Sequence, residues 1–146
     1  MKIRVVNESK YDPKDLLPTF ATSGAAAIDL RVAECVKIPP SGQVRAARTG
    51  IKIELPDGVC GLILPRSGLG SKGIVLANTV GLIDSDYRGE IVLMLKNTGS
   101  TMFHIEEGER AAQMMFLSVH QPEFELVSEL GTTGRGEGGF GSTGVK

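Results

Sequence analysis

The chain of 146 residues and 15.5 kDa is one domain's worth, long enough to bury about 68–70% of the surface its unfolded form exposes. Its 16 Lys plus Arg against 17 Asp plus Glu give a net charge of −1, which supplies no long-range field toward nucleic acid or an anionic membrane. With 41% hydrophobic and 23% charged residues and no apolar run near the length of a membrane span, the composition excludes disorder and insertion.

The start Met1-Lys2-Ile3-Arg4 has no secretory h-region, and Cys35 and Cys60 lie far apart with no CxxC pair. The expectation is a reducing, cytoplasmic setting without disulfides or structural zinc. The 19 glycines and 7 prolines cut the chain into short pieces, so long helices are not expected. Short strand-like runs occur at 2–6, 36–38, 51–55, 59–64, 74–76, 91–95, 102–105, 114–119 and 124–127. Ile51-Lys52-Ile53-Glu54-Leu55 alternates at period two and ends in Pro56-Asp57-Gly58, which reads as a strand, a turn and a returning strand. Many short strands with frequent turn signals predict an all-β, jelly-roll-like barrel with at most one short helix, capped by Ser67 and running toward Lys72.

Residues 131–146 hold 7 of the glycines and one large apolar side chain, Phe140, and cannot build a core. The expected organisation is therefore a β-barrel over 1–130 and a Gly-rich segment over 131–146, within one domain. That segment reads either as a disordered tail or as a mobile lid, because Arg135, Phe140, Ser142 and Thr143 suit an anionic, ring-containing ligand.

Three other stretches carry chemistry. Gly81-Leu82-Ile83-Asp84-Ser85-Asp86-Tyr87-Arg88-Gly89-Glu90 places two carboxylates on one face of a strand and turn, suited to a metal or to activating water; taken alone, a D-x-D beside glycine is more often a solvated turn. Pro65-Arg66-Ser67-Gly68 offers phosphate donors but lacks Walker A spacing, and in the tail Val145 stands where that motif needs Lys. Asp29, an acid among apolar neighbours, reads as a hydrogen-bonded structural residue or as part of a metal shell. His104 and His120 have no nucleophile signature beside them, which disfavours Ser-His-Asp and Cys-His chemistry.

In this order and spacing, Ala25-Ala26-Ala27-Ile28-Asp29-Leu30-Arg31, Pro65-Arg66-Ser67-Gly68, residues 78–90, Gly108-Glu109-Arg110-Ala111-Ala112-Gln113 and residues 135–144 resemble the five motifs of the homotrimeric dUTPase family. One departure is Ala27, where the first motif usually has Gly. The resemblance implies hydrolysis of dUTP to dUMP and pyrophosphate, which limits uracil in DNA and supplies dUMP for dTTP synthesis. A β-hairpin over 78–91 would form the nucleoside pocket, with Asn78, Gly81 and Ile83 at the base and Tyr87 against the deoxyribose. It also implies that Asp84 activates the water attacking the α-phosphorus, and that Arg66, Ser67, Gly68 and Gln113 contact the phosphates. Mg²⁺ would be held mainly by the phosphates, with Asp29 reaching it through water. Arg135, Phe140, Gly141, Ser142 and Thr143 would close over the substrate, in a homotrimer whose sites are shared between subunits. A deaminase of the same superfamily would have a longer chain and a different tail, and the intact Asp84 and Tyr87 speak against a binding module that has lost catalysis.

Overall fold

The computed structural model describes residues 1–9, 17–40 and 42–139. Among these residues ten strands occur in chain order, β1 (Arg4–Asn7), β2 (Ile28–Arg31), β3 (Val36–Ile38), β4 (Val44–Glu54), β5 (Val59–Pro65), β6 (Ile74–Leu76), β7 (Gly81–Ile83), β8 (Glu90–Asn97), β9 (Phe103–Ile105) and β10 (Arg110–Ser118). A single helical turn, α1 (Ser67–Gly70), follows β5. Two four-stranded antiparallel sheets, ordered β1-β4-β8-β6 and β2-β10-β5-β7, are joined by a two-stranded β3-β9 ribbon. This is the all-β, jelly-roll-like architecture expected from the spacing of turns.

The core follows from period-two alternation. In β8, Ile91, Leu93 and Leu95 are buried, while Val92 and Met94 face outward. Leu30, Ile38, Ile51, Ile105 and Met114 meet them from the other strands, each 2% exposed or less. Truncating one such side chain to Ala costs about 2–5 kcal/mol. A bulge in β4 after Arg48 is satisfied from within: Thr49 Oγ1 donates to the Ile91 carbonyl at 2.6 Å, and the Gly50 N–H donates to Glu90 Oε1 at 2.8 Å.

Four readings of the sequence change. First, the turn at Pro56-Asp57-Gly58 does not close a hairpin, because β4 and β5 belong to different sheets. Residues 78–91 are likewise no hydrogen-bonded hairpin: β7 pairs with β5 in one sheet and β8 with β4 and β6 in the other. In a sandwich a short turn can carry the chain across to the facing sheet as readily as back along its own, and local sequence does not distinguish the two. Second, residues 124–127 form no strand; Phe124 and Leu126 are 95% and 100% exposed, and among the described residues no strand pairs with them. Third, Ile28–Arg31 is a strand that the surrounding alanines concealed. Fourth, α1 is capped by Arg66 without a side-chain bond, and Ser67 is its first helical residue.

Candidate functional site

One row of polar side chains runs across the β2-β10-β5 sheet. Gln113 pairs with Asp29 on one side and Leu64 on the other, so these residues share the outward face, while Ile28, Met114 and Ile63 point into the core. The Asp29 carboxylate lies between two guanidiniums, with Arg66 Nε at 2.8 Å from Oδ1 and Arg110 NH1 at 3.3 Å from Oδ2. Arg66 NH1 also donates to the Arg110 carbonyl at 3.2 Å, and Gln113 Nε2 donates to the Pro65 carbonyl at 2.9 Å. Asp29 is thus a structural acid that fixes two cations, a partner set that reading Asp29 in its own motif did not foresee. Arg110, the second cation, was not singled out by sequence reasoning.

Arg66 and Arg110 face an open cleft of about 840 Å³, into which Arg31, Lys72 and His104 also project. The cleft carries more positive than negative side chains, which suits a polyanion. Lys72 Nζ stands 5.7 Å from the centre of the Phe103 ring, a cation–π contact that steadies one wall. Ser67 and Gly68 are exposed at the rim, and a Cβ at Gly68 would meet nothing within 4 Å.

A second, smaller cavity of about 110 Å³ lies where the chain passes from β6 to β7, between the edges of the two sheets. Ile63, Gly81 and Ile83 come from one sheet, Val92 and Met94 from the other, and Asn78 sits at the mouth. Glycine at 81 keeps the strand close to its neighbours, since a Cβ there would press on Ile63 Cβ at 3.1 Å and touch Asn78 Nδ2 at 3.5 Å. Among the described residues nothing hydrogen-bonds the Asn78 carboxamide, which leaves its donor and acceptor for a ligand.

Asp84 follows β7 and is exposed, beside a depression of about 210 Å³ lined by Gly58, Cys60 and Val119. The loop after it is braced by its own groups. The Tyr87 N–H donates to the Asp84 carbonyl at 3.2 Å, and Arg88 NH1 donates to the Ser85 carbonyl at 2.6 Å. Tyr87 donates its hydroxyl to the Glu90 carbonyl at 2.9 Å, and its ring folds so closely over Gly89 that a Cβ there would collide with the hydroxyl. Arg88 and Gly89 therefore set the pose of Tyr87, a role visible in the sequence only as a turn signal.

These two groups of residues do not meet within one chain. Gly61 pairs with Ile83, so Asp84 lies beside Cys60 at the start of β5, whereas Arg66 and Ser67 follow its far end at Pro65. Six residues of strand separate them by ~20 Å. Arg135 is exposed and donates Nε to the Gly138 carbonyl at 2.8 Å. Phe140, Gly141, Ser142 and Thr143 lie outside the described residues. No described helix is long and apolar enough to cross a membrane.

Comparison with known proteins adds a family. The family model described as dUTPase matches residues 14–144. The deoxyuridine 5′-triphosphate nucleotidohydrolase of Citrobacter koseri is 52% identical over 134 residues, covering 89% of this chain and 88% of its own. That of Acinetobacter baylyi is 48% identical with both chains fully covered. Among solved structures, the G164S mutant of the Staphylococcus bacteriophage 80alpha dUTPase with dUpNHpp superposes with a TM-score of 0.88 at 27% identity, over 99% of each chain.

Proposed function

The chain belongs to the dUTPase family and is a nucleotidohydrolase of dUTP, and from that premise we propose how its residues divide the work. The uracil ring enters the cavity between the sheet edges, where Asn78 and main-chain groups around Gly81 and Ile83 bond its polar edge. At about 110 Å³ the cavity has the volume share of roughly four waters, which suits a single ring and leaves little space for a thymine methyl group. Cytosine presents a donor where uracil presents an acceptor, so it would leave polar groups unpaired. Asn78 precedes β7 and Asp84 follows it, and the three residues of that strand span ~10 Å, on the scale of a nucleoside. Tyr87, held by its bond to Glu90, packs against the deoxyribose and excludes a 2′-OH.

At the other end of the nucleoside, Asp84 accepts a proton from water as the water oxygen bonds the α-phosphorus. The bond from that phosphorus to the α,β-bridging oxygen breaks, releasing dUMP and pyrophosphate. The Asp84 carboxylate has no hydrogen-bond donor among the described residues, so its lone pairs are available to that water. Arg66, Ser67, Gly68 and Gln113 hold the phosphates and stabilise charge in the transition state. Arg66 is pre-oriented for this, since Nε and NH1 are fixed on Asp29 and the Arg110 carbonyl while NH2 remains for a phosphate oxygen.

The donors at the cleft fit Mg²⁺. Asp29 is a hard oxygen donor, and among the described residues no three His, Cys, Asp or Glu side chains gather to hold an ion without the substrate. Held there with the substrate, Mg²⁺ would supply neutralisation of the phosphate charge. Asp29 keeps lone pairs beyond those used by the two arginines and reaches the ion through water.

The observation that carries this reading furthest is the ~20 Å between Asp84 and Arg66 along β5, because groups acting on one phosphate chain must each come within hydrogen-bond distance of it. One chain therefore supplies the nucleoside pocket and Asp84, and another supplies Asp29, Arg66, Ser67 and Gln113. The exposed Phe124, Leu126 and Leu130 support a homotrimer, as they are apolar surface that a neighbour would cover. The barrel over 1–130 carries the site, and the segment over 131–146 acts as a lid through Arg135, Phe140, Gly141, Ser142 and Thr143. Pyrophosphate release from dUTP by the Asp84→Asn enzyme tests the mechanism. The amide is nearly isosteric but a poor base, so kcat should fall ~10²–10⁴-fold with KM little changed. Turnover within a few-fold of wild type would remove Asp84 as the base.

A further inference from the structure

The four residues that carry the chain from one sheet to the other contain an unexplained distortion. Thr79 has φ 63° and is the only non-glycine residue with positive φ among those described. Its neighbours close around it: the Val80 N–H donates to the Asn78 carbonyl at 2.6 Å, and the Thr79 N–H to the Leu76 carbonyl at 3.1 Å. The bond from residue 80 back to residue 78 closes a tight turn over this positive-φ residue, a conformation strained for L-residues. For a β-branched side chain the conformation is a true outlier. Thr79 is exposed, and among the described residues its hydroxyl makes no hydrogen bond, so neither packing nor a side-chain bond offsets the strain.

The flanks impose it. Leu76 is 5% exposed in the core, and the Ala77 N–H is tied to the Met94 carbonyl at 2.7 Å. On the far side, Gly81 is buried against Ile63. With both ends fixed in different sheets, the crossover turns within residues 77–80, and the positive φ falls at Thr79. Once φ is positive, glycine would spread over a broad region, whereas Thr has one small left-handed well. The residue directly before the turn is Asn78, whose Nδ2 lies over Gly81 at the mouth of the 110 Å³ cavity.

We infer that Thr79 is a positioning residue for base recognition: confined to a single strained conformation, it fixes the direction of Asn78 and the gap between the sheet edges that admits the base. The inference rests on the reading that Asn78 bonds the uracil edge. Strain kept at a binding turn, where a glycine would be relaxed but loose, exchanges stability for a pre-organised pocket.

The test compares Thr79→Gly, Thr79→Asn and Asn78→Ala in the purified full-length enzyme, with melting temperature and steady-state kinetics on dUTP and dCTP. Thr79→Gly should raise KM for dUTP about tenfold with kcat within about twofold of wild type, and lower the dUTP-to-dCTP ratio of kcat/KM about tenfold. Asn tolerates the left-handed region without glycine's breadth, so Thr79→Asn should keep the wild-type KM and selectivity while raising Tm by about 2–5 °C. Wild-type KM and selectivity in Thr79→Gly would overturn the inference, as would a Thr79→Asn enzyme with no gain in Tm or with the same loss of affinity. Asn78→Ala separates the premise from the inference. If it binds and discriminates as wild type, the reading of Asn78 fails; if it loses both while Thr79→Gly loses neither, only the role of Thr79 fails.

Discussion

Replacing Asp29 by Asn tests what that carboxylate does. It accepts from Arg66 at 2.8 Å and from Arg110 at 3.3 Å, with side-chain exposures of 23% for Asp29, 29% for Arg66 and 46% for Arg110. A charge-assisted hydrogen bond contributes about 1.5–3 kcal/mol when well enclosed and under about 1 kcal/mol at the surface. The tighter Arg66 contact falls toward the first figure and the exposed Arg110 contact toward the second. Asn retains one acceptor oxygen for Arg66 but removes the charge, leaving two guanidiniums as neighbours. The expected net cost is about 1–2 kcal/mol, or a fall in Tm of about 3–8 °C for a chain of this size. Because Arg66 also loses its tether, KM for dUTP should rise several-fold at every Mg²⁺ concentration. Thermal denaturation in EDTA, followed by kinetics over a Mg²⁺ titration, reads both effects. An Asn variant that melts like wild type in EDTA, and differs only in needing more Mg²⁺, would refute the argument and make Asp29 a residue of the metal alone.

The other predictions concern separate parts of the site. Gly89→Ala places a Cβ against the Tyr87 hydroxyl and breaks its bond to the Glu90 carbonyl, so the ratio of kcat/KM for dUTP over UTP should fall about tenfold or more; an unchanged ratio would mean that another group rejects the ribose. Ending the chain after Gly131 removes none of the described residues of the buried core, so Tm should stay within about 2 °C while kcat/KM falls at least about 100-fold. A large drop in Tm would show that the segment holds the assembly together instead. Hydrolysis should vanish in EDTA and return with Mg²⁺, and full turnover without metal would exclude the ion from the reaction.

Much of this was legible in the sequence because it is local. Turn residues at Pro39-Pro40, Pro56-Asp57-Gly58 and Asn97-Thr98-Gly99 divide the strands, and the alternation in residues 51–55 and 91–95 marks their buried faces. The chemistry of Asp84, Arg66 and Gln113 could be named from their motifs, since acid, cation and amide keep their character wherever they sit. Pairing could not be read in this way. Which sheet a strand joins depends on contacts between residues far apart in the chain, and so β4 with β5, and β7 with β8, looked like hairpins although each pair is split between sheets. Asp29 illustrates the same limit, as Arg66 and Arg110 come from β5's end and β10, 37 and 81 residues away. The strain at Thr79 was hidden because Thr is an ordinary turn-flanking residue by composition, and only the two sheets together force its φ positive. Residues 124–127 have the alternation of a strand, but among the described residues no strand pairs with them.

That a site is divided between chains is tested most directly by mixing two inactive enzymes, Asp84→Asn and Arg66→Ala, each verified as folded by its melting curve. Co-expression with two distinct affinity tags allows hybrid oligomers to be isolated and assayed for pyrophosphate release. If Asp84 and Arg66 of one site come from different chains, each purified hybrid trimer should regain about one site in three, the one that pairs an intact Asp84 with an intact Arg66. If purified hybrids remain as inactive as either parent, both residues must act from the same chain. The ~20 Å along β5 would then have to be bridged within one subunit, which contradicts the account.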